Sequence, residues 1–119
     1  MKSKEYISFN KMIEYINKAM EYTKGYTFET FCNDDKTIDA TVFAISQIGE
    51  LVKNISNETM NKYNNIEWNM IKGLRNRIVH DYEGISLKSI WYVVSNDIIE
   101  LKENIETILE KEKNIEWEF

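Results

Sequence analysis

Residues 86–108 read SLKSIWYVVSNDIIELKENIETI, and this stretch carries the clearest helical pattern in the chain. Its large apolar residues alternate between spacings of four and three, and they are Leu87, Trp91, Val94, Ile98, Leu101, Ile105 and Ile108. This spacing follows the 3.6-residue period of an α-helix, so it predicts one apolar seam that faces a core. Ser86 carries a hydroxyl group that suits the N-cap of such a helix.

The same period runs through the sequence upstream. A first helix is predicted by the stripe Tyr6, Phe9, Ile13, Ile16 and Met20. Lys24 and Gly25 follow this stripe and form a typical helix end. A second long helix carries two adjoining stripes, which are Ile38, Val42, Ile45, Gly49 and Val52, and then Ala44, Ile48, Leu51 and Ile55. Two stripes indicate a helix with neighbours on two sides.

A third helix is predicted to begin near Ile66 or Glu67. Its buried positions would be Trp68, Ile71, Leu74 and Ile78, and Glu83-Gly84 would interrupt it. The polar residues 57–65 are interpreted as a turn. No segment has the two-residue period of a strand, so the prediction is an all-α, antiparallel bundle of four or five helices. Residues 1–119 would form a single domain.

Composition excludes several classes of protein. No stretch approaches the roughly 20 apolar residues of a membrane helix, and the first residues lack the apolar core of a secretory signal. Cys32 is the only cysteine, which excludes an internal disulfide and a cysteine-based metal site. We therefore expect a cytoplasmic protein with no membrane partner and no cofactor or metal. The net charge of −5 argues against a general nucleic-acid coat.

The charge is unevenly distributed along the chain. Residues 71–96 hold four Lys or Arg and two acidic residues, whereas residues 97–119 hold three Lys and eight acidic residues. The basic region contains GLRNRIVHDYEG, residues 73–84, which includes the only histidine of the chain. This stretch has two readings. It is either an ordinary helix whose polar side chains face water, or a site for chemistry on phosphates.

The chemical reading rests on Arg75 and His80. Histidine exchanges protons near neutral pH, and the planar guanidinium of arginine matches the oxygens of a phosphate. Without metal ligands nearby, this pair suggests cleavage of RNA by its own 2′-hydroxyl group, with His80 as general acid or base and Arg75 stabilising the transition-state charge. One histidine cannot easily serve as both acid and base. A homodimer would supply two copies of each residue to one cleft.

At these residues the sequence resembles the HEPN superfamily of ribonucleases, and within it the HepT toxins. The family signature Arg-x4-His-x-Tyr is matched by Arg75, His80 and Tyr82. The segment IGELVK, residues 48–53, is similar to an Ile-Gly-Glu segment of the family. Residues 65–86 and 89–105 are similar to its Trp-x-x-Ile-x-Gly-x-Arg-Asn block and its last helix, with Ile99 where a proline is common.

The resemblance implies a helical homodimer that acts as a metal-independent endoribonuclease on RNA. It also implies a partner, a nucleotidyltransferase antitoxin of the MntA type that transfers AMP groups to the motif tyrosine, here Tyr82. An AMP group two residues from His80 would occupy the place of the substrate and compete for its cations. Without that modification, Tyr82 would be an aromatic residue that covers a helix end.

Other residues have supporting roles with open alternatives. Asn76 could bind the substrate phosphate or orient His80, or it could simply face solvent. Glu50 could line the cleft and tune an Arg or His by its charge, or form a structural ion pair with Lys53 or Arg77. The candidates for contact with the RNA backbone are Arg77, Lys72 and Lys88, although surface solvation explains each of them singly. The rival function is a non-catalytic helical module that binds a nucleotidyltransferase or a nucleotide.

Overall fold

The computed structural model describes residues 1–76, 78 and 86–113, and within them it contains helices and no β-strand. The helices are α1 (Ser3–Thr23), α2 (Phe28–Cys32), α3 (Asp35–Leu51), α4 (Asn57–Lys62), α5 (Trp68–Lys72), α6 (Leu87–Tyr92) and α7 (Ile98–Glu112). A 3₁₀ turn, Val52–Asn54, follows α3, and a π-helical turn, Val93–Asp97, joins α6 to α7. No helix in this part of the chain is long and apolar enough to cross a membrane. The predicted all-α class is confirmed.

The two long helices α1 and α3 run antiparallel. The carboxylate of Glu5, in the first turn of α1, accepts a hydrogen bond from the backbone N–H of Ser56, which follows the end of α3. At the other end, the hydroxyl of Tyr26, just after α1, donates to Asp34, the N-cap of α3, at 2.6 Å. Each end of α1 thus lies beside the opposite end of α3.

The last helix is also antiparallel to α1. Tyr6 and Ile13, from the first half of α1, line a groove together with Leu109 of α7. Met20, near the end of α1, lines another groove with Val94, which precedes α7. The core of the bundle therefore lies between α1, α3 and the long rod formed by α6, the π-helical turn and α7.

The predicted apolar stripe of α1 is displaced from the buried one. Fully buried apolar positions on α1 are Phe9, Met12, Ile16 and Ala19, whereas Tyr6, Ile13 and Met20 are only partly buried. The reason is that α1 contacts both α3 and α7, so the buried face is centred between two neighbours. The predicted stripe includes the fully buried Phe9 and Ile16 but misses Met12 and Ala19.

The prediction of a turn over residues 57–65 is wrong for residues 57–62, which form α4, and correct for residues 63–65. Ser56 accepts a hydrogen bond from the backbone N–H of Thr59 and so caps α4. Met60 in this helix and Tyr63 directly after it are buried. The carbonyl oxygens of Met60 and Tyr63 accept hydrogen bonds from the indole N–H of Trp68. A tertiary contact thus stabilises a helix that its polar sequence does not favour.

The last long helix begins where predicted, because Ser86 accepts a hydrogen bond from the backbone N–H of Ser89. The π-helical turn, however, changes which residues of this helix face the core. Val93 and Val94 are both buried, as are Ile90 and Ile98, while Leu87 and Trp91 are only partly buried. One extra residue in this turn rotates α6 relative to α7, and a constant helical period cannot predict that rotation.

Glu5 is a buried carboxylate that joins α1 to α4. One oxygen accepts hydrogen bonds from the backbone N–H and hydroxyl of Ser56 and from the hydroxyl of Thr59, and the other accepts from the backbone N–H of Lys2. Desolvation by burial raises the pKa of Glu5, but these four hydrogen bonds outweigh it and lower the pKa to about 2. The carboxylate is therefore ionised at neutral pH.

We expect Glu5→Gln to destabilise the fold by about 1–3 kcal/mol at neutral pH, because the amide places a donor beside donors. The folded pKa lies below the reference value of 4.5, so the stabilisation is complete above pH 4.5 and is lost as the pH falls towards 2. Urea unfolding followed by circular dichroism should show that the variant and the wild type converge over this interval.

Glu14→Gln, which changes an exposed glutamate on the same helix, serves as the control and should leave stability nearly unchanged. A difference between Glu5→Gln and the wild type that stayed constant down to pH 2 would contradict the assigned role of the carboxylate.

Candidate functional site

Arg75 lies on a short helical stretch whose opposite face is buried. Residues 74–76 and 78 are helical, and Leu74 and Ile78 are each only 1% exposed. Since these two residues anchor the stretch in the core, Arg75 and Asn76 lie on its exposed face. The predicted spacing of buried residues at Trp68, Ile71, Leu74 and Ile78 is confirmed.

Gly49 brings the backbone of Arg75 against α3. A Cβ atom at Gly49 would lie 3.1 Å from the backbone nitrogen of Arg75 and 3.3 Å from the carbonyl oxygen of Ile71. Such distances are shorter than nine in ten real Cβ contacts, so a side chain at this position would require the backbone of Arg75 or Ile71 to shift by a few tenths of an ångström. Gly49 thus places Arg75 beside the residue that follows it on α3.

That residue, Glu50, holds two cations at once. One carboxylate oxygen lies 3.0 Å from Nη1 of Arg75, and the other lies 2.9 Å from Nζ of Lys53. The hydrogen bond from Lys53, more than the nearby charge of Arg75, lowers the pKa of Glu50 below its usual value. Lys53, one of the two partners predicted for Glu50, is confirmed, and Arg75 is an additional partner; the other predicted partner, Arg77, lies outside the described residues.

The Arg75–Glu50 pair orients a side chain more than it stabilises the fold. The Arg75 side chain is 56% exposed and that of Glu50 is 34% exposed, and exposed pairs of this kind contribute about 0–1 kcal/mol. A guanidinium has five N–H donors, and Glu50 engages one nitrogen. The remaining donors of Arg75 can bind the oxygens of a phosphate group.

The other predicted site residues occupy several places. Asn76 and Lys72 are exposed close to Arg75 in sequence, and Lys88 is exposed in the first turn of α6. The predicted residues His80, Tyr82 and Arg77 lie outside the described residues.

Two residues of this site were not recognised as functional from the sequence. Gly49 was assigned to an apolar stripe, although a glycine inside a helix costs up to about 1 kcal/mol and so indicates a close approach. Lys53 was considered only as a partner of Glu50. Within the described residues, no three His, Cys, Asp or Glu side chains come together as metal ligands.

Comparisons with known proteins identify similar chains. The model of a family described as "Ribonuclease HepT-like" matches residues 12–108. A protein named "Putative RNase" from Caldanaerobacter subterraneus subsp. tengcongensis is 36% identical over 94 residues, which are 79% of this chain and 84% of that protein. One with the same description from Methanocaldococcus jannaschii is 34% identical over 107 residues, or 87% of this chain and 88% of that protein.

A protein named "Probable ribonuclease HepT" from Thermococcus cleftensis is 34% identical over 95 residues, which are 80% of this chain and 86% of that protein. No solved structure matches the chain.

Gly49→Ala tests the close approach at Arg75. Alanine favours a helix by up to about 1 kcal/mol, but overpacking against the backbone of Arg75 costs about 1–3 kcal/mol, so we expect net destabilisation. Gly73→Ala is the matched control, because its Cβ would lie 3.5 Å from the nearest atoms, an ordinary contact. Urea unfolding should show lower stability for Gly49→Ala and equal or higher stability for Gly73→Ala. Equal stability of the two variants would refute the steric role of Gly49.

Proposed function

Because the chain belongs to the HepT-like family of ribonucleases, we propose that it is an endoribonuclease toxin that cleaves RNA without a metal ion. The observation that supports this most directly is the geometry of the signature arginine. Arg75 is exposed, is held by Glu50 at 3.0 Å, and keeps donors available for a phosphate. His80 and Tyr82 complete the signature in the sequence.

In the proposed reaction, the 2′-oxygen of a ribose attacks the adjacent phosphorus. A histidine acting as general base takes the proton of the 2′-hydroxyl, the bond from phosphorus to the 5′-oxygen breaks, and a general acid protonates that oxygen. The products are a 2′,3′-cyclic phosphate and a 5′-hydroxyl. Arg75 binds the phosphorane-like transition state through charge-assisted hydrogen bonds, while Glu50 keeps the guanidinium in position.

The site is proposed to be a cleft shared by two copies of the chain, since base and acid then come from two histidines. An exposed aromatic residue supports an interface nearby. Phe43 is 56% exposed, and it lies seven residues before Glu50 on α3, hence on the same face about 10 Å away. Burial of this ring by a second copy would remove apolar surface from water next to Arg75.

Substitutions at the signature test the enzyme directly. We expect His80→Ala and Arg75→Ala each to lower the rate of RNA cleavage at least about 100-fold, while the dimer and the helical circular dichroism persist. Arg75→Lys should retain part of the activity, because lysine keeps the charge and loses the planar fork. The measurement is gel analysis of a labelled RNA, with light scattering for the size of the assembly.

Lys11→Ala removes an exposed cation on α1, a helix that carries none of the signature residues. This variant is the control for a general loss of charge. RNA that stayed intact with the wild-type protein, in cells and in vitro, would instead favour a non-catalytic module that binds a nucleotidyltransferase or a nucleotide.

Regulation is proposed to occur at Tyr82, where an antitoxin nucleotidyltransferase would transfer AMP from ATP to the tyrosine hydroxyl, which loses its proton while pyrophosphate leaves. The added phosphate would compete with RNA for the nearby cations, and the adenosine would fill the place of the substrate. The motif position of the tyrosine and the family membership support this part of the proposal.

Co-expression with such a transferase should raise the mass of the wild-type protein by whole multiples of an AMP group and abolish RNA cleavage. Mass spectrometry should find no such addition on Tyr82→Phe. Tyr92→Phe, which changes a tyrosine that is 58% exposed, should be modified like the wild type. Equal modification of Tyr82→Phe and the wild type would exclude Tyr82 as the target.

A further inference from the structure

A cleft of about 590 Å³ opens between the start of α1, the 3₁₀ turn and α4, and it was not assigned a role by the sequence. Four lysines line it, and we call it the lysine cleft: Lys2, Lys4, Lys53 and Lys62. All four are exposed. Such a group of cations is notable in a chain whose net charge is −5.

The lysine cleft is linked to the signature arginine through Lys53. Lys53 lies in the cleft, and its Nζ shares the carboxylate of Glu50 with Nη1 of Arg75, at 2.9 and 3.0 Å. Because both cations bind the same carboxylate group, Lys53 and Arg75 are neighbours. A strand with regularly spaced phosphates that binds Arg75 can therefore extend past Lys53 into the cleft.

The acidic residues of the cleft leave its surface mainly cationic. Glu5 is 4% exposed, and its oxygens are occupied by four hydrogen bonds. Glu112 is 2% exposed and lies 3.4 Å from Nζ of Lys62, whose side chain is 55% exposed. Among the described residues that line the cleft, Glu58, in the first turn of α4, is the one that places an exposed carboxylate there.

We propose that the lysine cleft binds the RNA backbone next to the phosphate that is cleaved at Arg75. This inference rests on the proposed ribonuclease function and assigns it a second binding surface, distinct from the candidates Lys72, Arg77 and Lys88. The flexible lysines act as point charges that follow a phosphate backbone, so the cleft contributes affinity without sequence preference.

The alternative occupants of a basic cleft fit less well. A mononucleotide is bound by few, convergent groups, whereas these lysines come from the start of α1, from the 3₁₀ turn and from α4. The bridge through Glu50 also joins the cleft to one particular residue, Arg75, which the family signature includes. A linear polyanion satisfies both observations, and RNA is the one that the proposed function supplies.

Single-residue variants of the cleft and a matched control test this inference. The probe is a labelled single-stranded 2′-O-methyl RNA, which lacks the attacking hydroxyl and so cannot be cut, and binding is measured by fluorescence anisotropy at several salt concentrations. Lys4→Gln should raise Kd about threefold to tenfold and reduce the slope of log K against log salt by about 0.7–1. Lys11→Gln, an exposed lysine two turns further along α1 and outside the cleft, should leave both quantities unchanged.

Glu58→Gln should have the opposite effect, a lower Kd, because it removes the exposed acid from the cleft. With cleavable RNA, Lys4→Gln should raise KM and leave kcat unchanged, since the cleft binds the backbone and does not act on the reacting atoms. Equal Kd values for Lys4→Gln, Lys11→Gln and the wild type would overturn the inference even if RNA is cleaved. Weaker binding by Lys4→Gln, together with no cleavage by the wild type, would instead support the RNA cleft and refute the proposed enzyme.

Discussion

The absence of a side chain at Gly49 is the constraint on which the candidate site depends. It allows the backbone at Arg75 to lie against α3, where a Cβ atom would be 3.1 Å from the Arg75 nitrogen. At this close approach Glu50, the next residue, lies 3.0 Å from the guanidinium. The buried side chains of Leu74 and Ile78 hold the other side of the same stretch in the core. The packing at Gly49 and the charge of Glu50 therefore act together to position Arg75.

Two glutamates, Glu50 and Glu5, have different roles in this part of the protein. Glu50 is shared by two cations and partly exposed, so it orients Arg75 and Lys53 at little cost. Glu5 is buried and fully hydrogen-bonded, so it joins α1 to the start of α4 and forms part of the lysine cleft. The partly exposed Glu50 positions a cation, whereas the buried Glu5 holds a backbone segment. The difference in burial explains the difference in role.

The prediction of the fold from the sequence succeeded where helical periods were long and regular. The helical class, the start of the last long helix at Ser86 and the buried positions of residues 68–78 were all predicted from spacing. The prediction failed at α4, because residues 57–62 are polar and carry no apolar stripe, and the helix depends on Ser56 and Trp68. It also failed at the π-helical turn, which changes the register between α6 and α7.

The sequence by itself determined the all-α class and the family, since apolar periodicity and a local signature are both written in consecutive residues. It also named Arg75, His80 and Tyr82 as a group, and the last two stay predictions. The tertiary structure decided the partner of Arg75 and the existence of the lysine cleft. Glu50 and Arg75 are 25 positions apart, and Lys4 and Lys53 are 49 positions apart, so only the packing of α1, α3 and the segments after them brings these charges together.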